Sequence, residues 1–444
     1  MYDMVISQAQ VVNEGCIQVL DVAIQGERIA AIAPDLSQAA CKQTLDAQGR
    51  YLLPGMIDDQ VHFREPGLTH KGDMATESAA AVRGGITSFM EMPNVNPLTI
   101  NAQALEDKYQ RAQGRAHANY AFYLGASNDN LEQIKSLDPK TACGIKVFMG
   151  ASTGNMLVDD PRVLEEIFAH APTLVVTHCE DTPSIHALEA EYRAKYGEDV
   201  PMAYHAKIRS EEACWKSSSF AVDLARKQGT QLHVLHLTTA RELALFTAGP
   251  IANKQITAEA CVHHLFFNEE DYATLGALIK CNPSIKTAAD QAALLQAVVE
   301  DRIDVIATDH APHTWEEKQH TYFKAPSGLP LVEHALPSLF EHYHAGRLSL
   351  EKIVQKTSHA VAERFQVQAR GYLREGYFAD LVLVDLNANS PITHENCHYK
   401  CAWTPFAGQT FQSRIEATWV NGQLAWSQTQ GLAPAQGQRL QFLR

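Results

Sequence analysis

The sequence has no apolar run long enough to cross a bilayer, which takes about 20 predominantly apolar residues. It has no CxxC pair either; its nine cysteines are scattered. An odd, dispersed set in a long chain reads as reduced thiols, not as a disulfide framework. The start, MYDMVISQAQ, lacks the basic and apolar segments of a secretory leader. A basic excess is also missing: 37 Lys and Arg stand against 51 Asp and Glu, a formal net charge of -14. That argues against nucleic-acid binding and gives no attraction to anionic membranes. These absences lead us to expect a cytoplasmic protein with neither a nucleic-acid nor a membrane partner. An anionic small molecule would need a local cation of its own.

What is present is ample apolar material, 45% of 444 residues, enough for one large domain and a smaller one. The first fifty or so residues hold short alternating runs, VISQAQVV, IQVLDVAIQ and RIAAIAP, parted by turn-like NEG and QGE. The tail repeats the style in FADLVLVDL and in RIEATWV–NG–QLAW. Asn421–Gly422 between two apolar runs is a strong hairpin signal, because a primed turn needs positive φ. Residues 1–50 and 372–444 are therefore expected to form the two halves of one small β-sandwich. The middle, 51–371, alternates strands with helices. The candidate strands span 52–63, 85–94, 118–127, 144–151, 173–180, 231–239, 256–266 and 305–313. PRVLEEIFAHA, EEACWKSSSFAVDLARKQ and AADQAALLQAVVED carry apolar residues at helical spacing. This α/β pattern predicts a parallel sheet closed into a (β/α)8 TIM-like barrel.

Nearly every candidate strand ends in polar or ionisable side chains: His62 and Arg64, Asn94, Lys146, His178, His236, His263 and His264, and Asp309. Barrel enzymes carry their chemistry at these C-terminal ends. Gln60 and His62 share one face of their strand. Lys146 sits in an otherwise apolar strand, and a buried ammonium is costly unless paired or neutralised.

These residues fall in recognisable runs: D-D-Q-V-H-F-R-E-P-G at 58–67, M-P-N at 92–94, G-I-K-V-F-M-G at 144–150, T-H-C-E at 177–180, H-V-L-H-L at 233–237, C-N-P at 281–283 and T-D-H-A-P-H at 308–313. Together, and in this order, they resemble the dihydroorotases of the amidohydrolase superfamily. The resemblance departs at Gln60, where that family has the first histidine of H-x-H. It implies a zinc-dependent cyclic amide hydrolase that interconverts N-carbamoyl-L-aspartate and L-dihydroorotate in pyrimidine (UMP) biosynthesis, by attack of a metal-bound hydroxide. It also implies one or two zinc ions held by His62, Lys146, His178, His236 and Asp309, with Gln60 an open question. Lys146 would bridge as its carbamate. Asp309 would serve as general acid/base. Arg64, Asn94, Asn282 and His313 would hold the substrate. A homodimer is expected by analogy.

Other readings stay open at this level. The same fold serves hydantoinases, dihydropyrimidinases and allantoinases, which act on neutral rings. A catalytically inactive scaffold would also show lost ligands, as at Gln60. Singly, a strand histidine is more often a satisfied core residue, Asp309 could be a helix N-cap, and Arg64 could pair with Glu65. Lys146 could reach solvent or a carboxylate. His70 and Lys71 read as a surface loop. His263, His264, Cys179 and Cys281 have no assigned role. The polar segment after strand eight is either a loop over the pocket or an inert one.

Overall fold

The alternating runs at the two ends of the chain pair with each other. The computed structural model describes residues 1–150 and 156–444. Tyr2–Asn13 lies antiparallel to Cys16–Gln25, which pairs in turn with Arg28–Ala33. From the other terminus, Leu381–Asp385 pairs with Arg414–Val420, and that strand with Gln423–Ser427. Asn421 and Gly422 connect the last two with φ of 52° and 74°, the positive values a primed turn requires.

Tyr51–Pro54 joins the two sets. It runs parallel to Tyr2–Asn13 and antiparallel to Leu381–Asp385, completing one nine-stranded sheet. The run 52–63, read as one strand of the central unit, is thus two strands in two sheets. The break is Gly55, where a Cβ would lie 2.1 Å from the Thr87 hydroxyl. Ile6, Val22, Leu52, Leu381 and Trp419 from both termini share one buried cluster. The last residues leave this sheet: Tyr120 N donates to Gln438 O, and Leu440 N to Tyr120 O. Arg444 then donates to the carbonyls of Ala142, Cys143 and Phe365, at the end of the central unit opposite the site described below.

The central unit consists of parallel strands in two arcs. One arc contains Met56–Val61, Ile86–Glu91 and Asn119–Phe122. The other contains Leu124–Gly125, Ile145–Phe148, Val175–His178, Leu232–Val234, Ile256–Cys261 and Val305–Ala307. The arcs meet at both edges. At one edge the chain runs from Phe122 through Tyr123 into Leu124, and Cys143 N donates to Phe122 O. Across the other seam, Val61 bridges His310 in parallel, and Thr308 Oγ1 donates to Asp58 at 2.6 Å. The expected helices are present as Pro161–His170, Glu211–Gln228 and Ala288–Val299. Ser210 caps the second and Thr287 closes a capping box on the third, each satisfying N–H groups the first turn leaves unpaired.

The strands are shorter than the apolar runs suggested, because the chain leaves regular pairing before its functional residues. Val262–Phe266, read as strand, is a short helix. Ala151, the end of the expected fourth strand, lies outside the described residues.

Candidate active site

Where the strands stop, the backbone turns sharply. Arg64, His236 and Asp309 adopt φ of 70°, 38° and 51°, a region non-glycine residues seldom occupy and one that clusters at functional sites. These turns aim side chains from separate strands into one narrow cavity of about 30 Å³. Of the residues expected to hold metal or substrate, all line it except His313; His263 and His264, also at a strand end, do not.

Two donor pairs face one another across the cavity. On the first strand, His62 Nε2 lies 3.1 Å from Asp309 Oδ1, and its Nδ1 is held at 2.8 Å by Asn94 Oδ1. Gln60 donates its amide hydrogen to the same Asp309 oxygen at 3.1 Å. The amide therefore presents its nitrogen to that carboxylate, while its oxygen faces the Cys261 thiol at 3.7 Å. In the second pair, His178 Nδ1 and His236 Nε2 are 3.1 Å apart. His178 Nε2 meets Glu180 at 3.0 Å, and Glu180 is ion-paired with Arg209.

Burial holds His62 and His178 below the usual imidazole pKa and His236 well below it. The rings are thus neutral and offer lone pairs. Burial pushes the Asp309 carboxyl up, but the His62 hydrogen bond and surrounding positive charge outweigh it, leaving a net lowering. Glu180 is likewise lowered, because Arg209 and His178 outweigh its burial. Each pair offers two donors of the kind a borderline cation accepts, but among the described residues no three of these four side chains bring ligand atoms within 4.8 Å of one another. Zinc–nitrogen bonds run about 2.0–2.1 Å, which puts neighbouring ligand atoms close to the separations seen in both pairs. A carboxylate orienting the far nitrogen of a ligand histidine, as Glu180 does, is the usual outer support of such a centre.

Lys146 lies 1% exposed, with its Nζ 4.6 Å from the centroid of the Phe148 ring. Among the described residues it meets no carboxylate at ion-pair distance. Burial pulls its pKa down to about 8 despite the pull of Asp309 and Glu259.

Arg64 is buried and does not pair with Glu65, which binds Arg115 at 2.6 Å instead. Its Nε donates to Pro312 O and one terminal nitrogen to His313 Nε2, both at 3.0 Å. His313, expected at the substrate, therefore stands behind Arg64 as its support. Lys71, read as a surface residue, meets the other face of His313 at 3.0 Å and pairs with Glu317 at 2.9 Å. Asn282 lines the cavity with a buried Oδ1 that has no hydrogen-bond partner. Ser327 and Gly328, at the end of the segment after strand eight, complete the wall, so the end of that segment borders the pocket. Sequence reasoning missed Glu180 and Arg209. The adjacency of Glu180 to His178 in T-H-C-E was the signal available for the first; Arg209 gave none.

Residues 51–425 match the amidohydrolase family. The chain is 33% identical over 394 residues to a dihydroorotase of Halobacterium salinarum, covering 88% of this chain and 90% of that protein. It is 31% identical over 428 residues to an allantoinase of Rubrobacter xylanophilus, covering 95% and 93%. Among solved structures it resembles the L-hydantoinase (dihydropyrimidinase) of Arthrobacter aurescens, with a TM-score of 0.93, 27% identity and coverage of 99% and 100%.

Proposed function

The chain belongs to the amidohydrolase family, and from that premise we propose that it is a zinc-dependent dihydroorotase working at the rim of a closed eight-stranded barrel. The observation that carries this reading is the meeting of the His62–Asp309 and His178–His236 pairs around Lys146 in one cavity. His178 and His236 would hold one cation. His62, Asp309 and Lys146 as its carbamate would hold another or share the first. Gln60, whose amide nitrogen faces Asp309, orients that carboxylate instead of serving as a ligand. When bound, zinc polarises the ring carbonyl and lowers the pKa of the attacking water.

The protein's own groups do the rest. Asp309, held ionised, accepts the proton of the attacking water and returns one to the leaving amide nitrogen. Arg64 turns its remaining donors to the ring carboxylate, with Asn94 beside it. Asn282 offers its unpartnered oxygen to a ring N–H. His313 and Lys71 keep Arg64 in place.

A second reading, hydrolysis of a neutral ring, is favoured by the two Arg64 donors already engaged with Pro312 and His313. Turnover of dihydroorotate, hydantoin and allantoin, measured side by side on zinc-loaded protein, separates the two. Dihydroorotate should be the preferred substrate. Arg64→Ala should raise its KM roughly tenfold to a hundredfold, the loss of a charge-assisted hydrogen bond. Preference for hydantoin or allantoin, or an unchanged KM, would overturn the assignment of substrate.

A further inference from the structure

Beside this centre lies a group of side chains the mechanism above does not use. Strand Ile256–Cys261 runs directly into helix Val262–Phe266, so one thiol and two imidazoles leave the chain within a single turn. Ligand atoms of Cys261, His263 and His264 all lie within 4.8 Å of one another, and all three residues are buried. Both ring nitrogens of His263 and Nδ1 of His264 have no hydrogen-bond partner. Buried polar atoms are nearly always paired, and the exceptions call for a cause. Simple packing of a thiol against two rings would leave three such atoms unexplained.

We propose that Cys261, His263 and His264 form a thiolate–imidazole site for a borderline divalent cation such as zinc, separate from the His62–Asp309 and His178–His236 pairs. The tautomers suit it. His264 Nε2 meets Pro283 O at 3.1 Å, so the hydrogen sits on Nε2 and the lone pair on the unpartnered Nδ1. One nitrogen of His263 lies toward the Thr308 carbonyl, outside hydrogen-bond geometry. One sulfur and two nitrogens select zinc or cobalt over the oxygen-seeking magnesium and calcium. Gln60 is the partition between the two centres: its oxygen faces Cys261 and its nitrogen faces Asp309.

The site does not depend on the hydrolase reading, and cobalt substitution tests it apart from activity. Metal-stripped full-length protein loaded with cobalt(II) should show a near-ultraviolet thiolate-to-cobalt charge-transfer band. Cys261→Ser should abolish the band, and His263→Asn should weaken cobalt binding by more than the roughly hundredfold that loss of an outer partner costs at most. Cys281→Ser should keep the band, and so should the double variant His178→Ala/His236→Ala, whose cobalt content should fall. Absence of the band in the native protein, its survival in Cys261→Ser, or its loss in the His178/His236 variant would overturn the proposal. Should Cys261→Ser fail to fold, as judged by circular dichroism, His263→Asn decides: unchanged band and affinity would refute the site.

Discussion

A lysine ammonium sealed under a protein surface is unstable chemistry, and among the described residues Lys146 has no carboxylate partner to remedy it. With its pKa drawn down to about 8, about a tenth of the side chain is free amine at pH 7 and about half at pH 8. Only the free amine reacts with carbon dioxide. At a fixed concentration of dissolved carbon dioxide, bicarbonate-depleted, metal-free protein should therefore regain a lysine heavier by one carbon dioxide about five times faster at pH 8 than at pH 7. Intact-mass spectrometry after trapping with zinc would record this; equal rates would mean the amine is not buried as described. Several residues of this kind were legible in the sequence, since an ionisable side chain at the end of an apolar strand has few other reasons to be there. His178, His236 and Asp309 follow that rule. His313 and Lys71 do not, because their partners lie on distant loops, and nothing local in the chain records that Arg64 would need support.

Helices and strands were easier to find than their ends. Glu211–Gln228 runs from a capping serine to Gly229 at φ 74°, and both signals are local. The boundary after Pro54 could not be read, because LLPGMIDDQV is apolar on either side of Gly55, and the sheet each half joins is decided by partners hundreds of residues away. The same holds for the end of the segment after strand eight, whose place beside the cavity depends on one glycine. Gly328 has φ 144°, and a Cβ there would sit 2.4 Å from Ala311 O. Gly328→Ala should move Ser327 off the wall and raise KM while zinc content and the circular dichroism spectrum hold. An unchanged KM would show that the segment plays no part in closing over substrate. The segmented strands have the same logic: hydrogen-bonded pairing stops at Val234 and Ala307 so that His236 and Asp309 can turn inward.

At the scale of the whole molecule, the chain encloses its catalytic unit from both directions. The two termini build one sheet, and the final residues cross beneath the parallel strands. Arg444 donates to four carbonyls there and to Thr173 Oγ1 at 2.5 Å. Because these contacts lie at the end away from the cavity, stability and turnover should separate. Arg444→Ala should cost about 1–3 kcal/mol, the range for buried acceptors left unpaired, seen as a lower Tm, with kcat/KM intact. A loss of activity without a loss of stability would mean that the two ends of the strands communicate.

The left-handed turns at Arg64, His236 and Asp309 set function against durability. Each holds an L-residue where only glycine rests at ease, so the fold carries a small conformational debt at the spots where its chemistry begins. Asp309→Gly should accordingly yield an inert protein that melts above the parent. A lineage freed from selection for turnover would drift toward glycine at these three positions, gaining robustness as it forgot its reaction.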